Sequence, residues 1–279
     1  MGIMTYFSAY RRALTLFILL LAGCGALSAQ ASEAHLRLGG TGAAIGVMTR
    51  LAEAFAADNP GVSAEVLPSL GSGGGIRALA DGAIDVAVSA RALKPAEAEK
   101  PLVAAPMSRS PFVVVTSNPE PQELAADDLA ALYANPAARW TDGSPVRIIL
   151  RPKSDSDSAF LMRHFDGMEA ALGQARLRPE VPVAATDQEN VGLAGKIAGS
   201  LTTASLTQIV SENAPLHVVP LDGVAPTLEN LESERYPFYK ELTIVHRQDS
   251  DATVRSFMAF VESERGRQIL RDAGNLPLR

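Results

Sequence analysis

Short apolar runs alternate with amphipathic stretches along the chain from about residue 35 onward. Residues 35–38 read as a strand. Residues 45–57 read as a helix that gathers Ile45, Met48, Ala52 and Phe55 on one face before Asn59-Pro60-Gly61 stops it. Residues 62–67 predict a second strand, residues 76–80 the start of a short helix, and residues 84–89 a third strand. This β-α-β-α-β order calls for a mostly parallel sheet with helices on its faces, because parallel neighbours need a crossover between them. Residues 111–116 are apolar and β-branched without helical spacing. The rhythm then restarts with a helix opened by Asp127 and Asp128 and running through Tyr133, a strand over 146–150, and a helix over 159–168 carrying Phe160, His164, Phe165 and Met168. A second apolar run at 242–246 precedes a final helix over about 253–273, stopped by Gly274-Asn275. Two α/β units linked by extended segments are the organisation this rhythm predicts, with no internal repeat and no low-complexity linker.

The N-terminus follows another pattern. Arg11 and Arg12 precede an unbroken apolar run over 13–22, and small residues follow; this is the layout of a secretory signal. The run is far shorter than the roughly 20 residues a membrane-spanning helix needs. Residues 1–34 are therefore assigned to a signal peptide and N-terminal linker, with export to the periplasm or cell envelope expected. Two processing sites stay open. Leu21-Ala22-Gly23-Cys24 has the form of a lipobox, in which Cys24 is lipidated, and it is favoured; Ala29-Gln30-Ala31 has the form of an ordinary signal-peptidase site. Cys24 is the only cysteine, so no disulfide forms within the chain under either cut. Acidic residues outnumber basic ones, 31 to 25, and the signal carries two of the basic residues away. An acidic body without clustered Lys and Arg argues against nucleic acid as a partner.

Three strand-to-helix junctions share small or hydroxyl-bearing residues: Gly39-Gly40-Thr41-Gly42-Ala43, Gly71-Ser72-Gly73-Gly74-Gly75 and Ser154-Asp155-Ser156-Asp157-Ser158. Free N–H groups at a helix start carry partial positive charge, glycine lets the backbone approach a ligand, and hydroxyls add donors. At the carboxyl ends of parallel strands such loops line the crevice where open α/β sheets bind ligands. An ordinary turn explains any one of them equally well. The second stands out, since four glycines in five residues exceed what a turn requires. It is neither a nucleotide P-loop, lacking Gly-Lys-Ser/Thr, nor a G-x-G-x-x-G fingerprint. Arg91 directly follows Ser89-Ala90 at the end of a predicted strand, and Arg151 ends the run 146–150 just before the Ser/Asp loop. In such positions an arginine can grip an oxyanion with two parallel bonds; a surface arginine at a strand exit is the plainer alternative.

At these residues the sequence resembles the phosphate-binding branch of the type II periplasmic solute-binding proteins of ABC importers. The resemblance rests on residues 70–76, on Asp81-Gly82-Ala83-Ile84-Asp85-Val86-Ala87-Val88-Ser89-Ala90-Arg91, on the stretch 127–140 ending in the lone Trp140, and on residues 221–227 with Tyr236-Pro237-Phe238. It runs in the same order over nearly all of the chain after residue 35. It implies a two-lobed α/β fold joined by two crossing strands at 111–116 and 242–246. One lobe would be built from residues 35–112 plus 239–279 and the other from 113–238, with ligand trapped between them by hinge closure. It places ligand contacts on Thr41, Gly42 and Ala43, on Ser72, Gly73 and Gly74, on Ser89, Ala90 and Arg91, and on Arg151 with Ser154, Asp155, Ser156 and Asp157. Phosphate is the implied oxyanion, an ABC permease in the inner membrane the implied partner, and a monomer the expected state. Three departures stand out. The segment after Arg151 is Ser/Asp-rich where the family carries Ser-Gly-Thr, Ala90 occupies a position where some members have an aspartate, and Gly42-Ala43-Ala44 replaces bulkier residues. Asp155 or Asp157 is the candidate to accept the proton of hydrogen phosphate in place of the missing aspartate.

No catalytic constellation accompanies these loops. His35, His164, His217 and His246 are scattered, with no H-E-x-x-H, C-x-x-C or G-x-S-x-G signature. His164 between Phe160 and Phe165 reads as a packing histidine, and Asp155 with Asp157 is only a fragment of a Ca²⁺ ligand set. No enzyme activity, metal or cofactor is expected. A sensor of the same fold, with a changed ligand or a protein partner, is the alternative.

Overall fold

The computed structural model describes residues 34–278; the signal segment, both processing sites and Cys24 lie outside the described residues. Strand β1 (Ala34–Gly40) leads through a single turn at Gly42–Ala44 into α1 (Ile45–Asp58), then β2 (Val62–Val66), α2 (Gly71–Ala80), β3 (Val86–Ser89) and a short α3 (Pro95–Ala98). Both β2 and β3 lie parallel to β1, as the β-α-β-α-β rhythm requires. The chain then enters β4 (Leu102–Thr116), the longest strand.

Past β4 come α4 (Leu129–Ala134), β5 (Arg147–Ile148), α5 (Ser156–His164), α6 (Met168–Ala175), α7 (Asp187–Lys196), β6 (Ser200–Ser205), α8 (Leu206–Ser211), β7 (His217–Val219) and α9 (Leu228–Glu232). Strand β8 (Tyr239–Arg247) returns to the first half, followed by α10 (Ala252–Glu262), α11 (Glu264–Asp272) and β9 (Leu276–Pro277). The strand order is β2-β1-β3-β8-β4-β6-β5. Strand β4 joins the two halves. Its first part pairs antiparallel with β8, from Leu102 opposite Arg247 to Pro111 opposite Tyr239. Its last part pairs antiparallel with β6, Phe112 opposite Ser205.

Alternation along these strands builds a core on each sheet face. In the first lobe, Leu36, Leu38, Val86 and Val88 pack with Val47, Leu51, Phe55 and Phe257, while Ala87 points to the opposite face with Leu79, Ile84 and Val245. In the second lobe, Phe112 and Val114 pack with Trp140, Leu161 and Leu201, and Val113 and Val115 with Ile149, Ala204 and Ile209. That period of two is what a sheet covered on both faces demands. Trp140 donates its indole N–H to the Gly199 carbonyl at 3.0 Å, and Tyr236 its hydroxyl to the Phe112 carbonyl at 2.7 Å, so both large side chains are buried with their polar atoms satisfied.

Several element boundaries differ from the sequence expectation, the helical ones for local reasons. Helix α2 begins at Gly71, five residues before Ile76, because Gly71 takes the left-handed conformation (φ 66°) and the glycines that follow already form the first turn. Strand β5 is only two residues long. The helix expected over 159–168 breaks in two where Phe165 is extended and Gly167 is left-handed (φ 73°). The terminal helix likewise divides at Ser263, whose backbone is extended (φ −67°, ψ 163°) and whose hydroxyl accepts from the Gly266 N–H to cap α11.

Candidate functional site

The predicted loops converge on the junction between the lobes. At the end of β3, Ser89 donates its hydroxyl to the Arg91 carbonyl (2.7 Å) and accepts from the Arg91 N–H (3.3 Å). It is fully buried. Ser89 therefore shapes the turn that carries Arg91, its hydroxyl proton directed to that turn. The Ala90 N–H donates to Ser72 Oγ at 3.0 Å, tying the start of α2 to the same turn; the Ser72 hydroxyl keeps its own proton for another acceptor. Arg91 extends over that helix start, since a side chain at Gly73 would come within 3.6 Å of its Nη2. Its guanidinium grips Glu97 in two prongs of 2.7 and 2.8 Å, and this hydrogen bonding holds the Glu97 carboxyl down at about 2. Part of the glycine richness has a packing cause: a Cβ on Gly75 would lie 2.5 Å from the Gly40 Cα.

Across the junction, Arg151 is 5% exposed. Its Nη1 donates to the Ala184 carbonyl (2.7 Å), and its Nη2 to Asp155 (2.8 Å) and Asp187 (3.4 Å). Its Nε–H is buried without a partner among the described residues. Asp155 caps α5, accepting from the Asp157 N–H at 2.9 Å. Asp157 points into the protein, where Lys240 of β8 donates to one carboxylate oxygen and the Thr203 hydroxyl to the other at 3.1 Å. Lys240 is 4% exposed and also reaches Ser156 Oγ at 3.4 Å. Ser154 is exposed on the turn, outside the lining of the cleft described below.

Two cations thus meet three carboxylates. Burial opposes the charge on Lys240, but Asp157, Asp187 and Asp155 outweigh it and hold the ammonium's pKa above its ordinary value. Burial, and after it the charge of Asp157, pushes Asp155 upward and Asp187 to about 6. The excess negative charge is relieved most readily by protonating Asp187. A carboxyl with a raised folded pKa favours the fold at low pH: that contribution is complete below about pH 4 and is lost as pH rises through 6. Asp187→Asn fixes the neutral form. It should raise the unfolding free energy at pH 7.5 by about 2 kcal/mol and remove this part of the pH dependence. Urea titrations at pH 5 and 7.5 measure both; a variant with an unaltered pH profile contradicts the assignment.

The first loop backs this cluster. Thr41, Gly42 and Ala43 are buried, and a Cβ on Gly42 would stand 2.5 Å from Asp187 Oδ2 and 2.7 Å from Gln188 Oε1. Gln188 donates to the Gly42 carbonyl (2.9 Å) and Ser205 to the Ala43 carbonyl (3.3 Å). Beside the cluster lies a cleft of about 600 Å³ that Ala90 and Arg91 line from one lobe, Ser156 from the other, and Lys240 from the crossing strand. Sequence reasoning missed Lys240, Asp187 and Thr203. Thr186-Asp187-Gln188-Glu189 reads as an ordinary helix cap, which it also is, with Thr186 accepting from the Glu189 N–H at 3.1 Å. Among the described residues no group of His, Cys, Asp and Glu is placed to hold a metal ion, and no helix is long and apolar enough to cross a membrane.

The profile of the PBP superfamily domain matches residues 26–265, and the chain belongs to that superfamily. Its fold is that of the type II periplasmic binding proteins: two α/β lobes joined by the crossing strands β4 and β8. A Clostridium perfringens protein, described as a substrate-binding protein of a phosphate ABC transporter and solved with bound phosphate, is similar in structure with a TM-score of 0.73. The two are 19% identical over 88% of this chain and 100% of the other. A phosphate-binding protein from Stenotrophomonas maltophilia gives 0.62 at 15% identity, over 88% of this chain and 91% of its own. An ABC-type phosphate transport receptor from Vibrio cholerae gives 0.59 at 18% identity, over 87% and 99%. No curated protein matches the sequence.

Proposed function

We propose that this protein is an exported solute receptor that captures a small oxyanion, hydrogen phosphate before others, between its lobes and delivers it to an ABC permease of the inner membrane. The capturing lobes are residues 35–112 plus 239–279 and residues 113–238, and the mature chain works in the periplasm, free or anchored through Cys24. The observation that carries the reading is the meeting of Arg91, Ser156 and Lys240 on one cleft. These donors come from three distant segments, and Arg151 stands behind them through Asp155. The solved structures of similar fold described as phosphate receptors support it.

Charge balance narrows the ligand. Arg91, Arg151 and Lys240 each already face a carboxylate. A fully ionised dianion would enter a neutral-to-negative site, whereas an anion that brings a proton can donate it in a hydrogen bond to Asp155 or Asp187. Asp157 is already committed to Lys240 and Thr203, which moves the acceptor role from the Asp155/Asp157 pair to Asp155 and Asp187. Capture and release of the anion on this reading involve no covalent step. Calorimetric titration at pH 7 tests the reading. Phosphate should bind at about micromolar Kd or tighter, near −8 kcal/mol, with sulfate weaker by about 100-fold. Equal affinity for sulfate removes the proton-acceptor role, and binding of neither anion transfers the protein to the sensor or partner-binding alternative.

A further inference from the structure

The lobes also meet along an edge that stands apart from the cleft. There α1 of the first lobe lies against α8 of the second. A Cβ on Gly46 would strike the side chain of Ser211, coming within 2.8 Å of its Cβ, so only glycine lets the two helices approach this closely. One turn further along α1, Arg50 donates through Nη2 to the carbonyls of Val210 (3.2 Å) and Ser211 (2.9 Å). Both carbonyls belong to the last turn of α8 and have no partner within that helix. Ahead of α1, Gln188 of α7 donates to the Gly42 carbonyl (2.9 Å) and to Glu212 (2.8 Å), the residue that follows α8. Among the described residues, the lining of the cleft includes none of Gly42, Gly46, Arg50, Gln188 and Ser211.

Helix α8 is held at both ends. At its start the Thr207 N–H donates to Ser110 Oγ of the crossing strand β4 (2.9 Å), and Asn275 donates to Thr207 Oγ1 (2.7 Å). At its finish it is gripped by Arg50. A rotation of the lobes about β4 and β8 displaces atoms least beside those strands, so opening stretches the Arg50 end of α8 before the Thr207 end. The bonds along this edge join protein atoms and draw on none of the donors that line the cleft. Their strength suits a reversible contact. A charged donor shared between two carbonyls that water would otherwise solvate shifts a two-state balance by about 30-fold, enough to change which state prevails and too little to forbid opening.

We propose that Arg50, seated on the end of α8 through the close approach at Gly46, is a positioning residue that keeps the lobes together before a ligand arrives, so that the anion meets a largely assembled cleft. This rests on the capture reading and adds that the chain itself sets the closed population. Apparent affinity falls with the fraction of protein in the binding-competent state, so loss of the latch weakens capture without a change in the cleft. Small-angle X-ray scattering and phosphate titration of the full-length protein test it. The free wild-type protein should be nearly as compact as the phosphate-saturated one. Free Arg50→Ala and Gly46→Ala should be more extended, contract to the wild-type dimension at saturating phosphate, and bind phosphate about fivefold more weakly. Circular dichroism verifies folding, and the half-buried position of Arg50 keeps the test intact where Gly46→Ala does not fold. A free wild-type protein as extended as the variants, or free variants as compact as the wild type, overturns the latch and leaves oxyanion capture standing. Failure of all three proteins to bind phosphate overturns oxyanion capture, while the scattering of the free proteins still decides the latch.

Discussion

Replacing Asp157 with alanine should destabilise the protein by about 3–5 kcal/mol, because it strands the buried Lys240 ammonium without its nearest countercharge. The pair joins α5 of the second lobe to the crossing strand β8, and both side chains are almost wholly buried. Asp155 and Asp187 also attract Lys240, but neither is within hydrogen-bonding distance of it among the described contacts. The Thr203 hydroxyl would lose its acceptor in the same step. Pairing Asp157→Asn with Lys240→Met, which removes both charges at nearly constant volume, should recover much of the loss, since an apolar substitute does not have to be desolvated as an ion. Urea unfolding of the single and double variants gives the coupling directly. A loss below about 1 kcal/mol for Asp157→Ala would mean that water or another carboxylate already serves Lys240.

The architecture was legible from local pattern because the sheet alternation and the helix faces are written in neighbouring residues. The two crossing strands showed in the same way, as apolar runs lacking helical spacing, although β4 and β8 extend well beyond the predicted 111–116 and 242–246. Helix interruptions were less legible: Gly167 and Ser263 sit inside apolar-periodic stretches, and only the backbone shows the break. At the site, Arg91, Arg151 and the glycine-rich start of α2 were visible as strand exits and loop composition. Their engagement was not. Ser89 looks like a ligand donor and closes its own turn. Asp157 looks like a loop carboxylate and turns inward to Lys240, 83 residues away in sequence. Within Tyr239-Lys240-Glu241 nothing local distinguishes a buried lysine from the exposed polar residue of an edge strand; the distinction arises only when α5 packs over β8. Charge pairing across lobes is a tertiary property, and it decides which of the predicted donors remains for a ligand.

That pairing sets the sign of the strongest functional prediction. Arg151→Ala should weaken phosphate binding by about 100-fold at pH 7.5. Removing the guanidinium leaves Lys240 as the only cation among Asp155, Asp157 and Asp187, so an approaching anion meets one more unit of uncompensated negative charge. At a separation of a few ångströms and an effective dielectric near 20, that is worth about 3 kcal/mol. The fold should tolerate the change better than the ligand does, because Asp187, already raised to about 6, can take up a proton and so relieve the repulsion. The same proton makes the defect depend on pH. At pH 5, with Asp187 protonated, the site regains a neutral partner and the penalty should shrink several-fold; at pH 8, site and phosphate have both lost protons and it should be largest. Arg151→Lys restores the charge but not the fork that reaches Ala184, Asp155 and Asp187 together, and should recover only part of the affinity. Calorimetry on the three proteins at pH 5, 7.5 and 8, with circular dichroism to verify folding, separates these effects. A penalty that stays constant across that range would remove Asp187 from the electrostatics of the site. Unchanged affinity in Arg151→Ala would confine the anion to Arg91, Ser156 and Lys240, leaving Arg151 as a purely structural partner of the two aspartates.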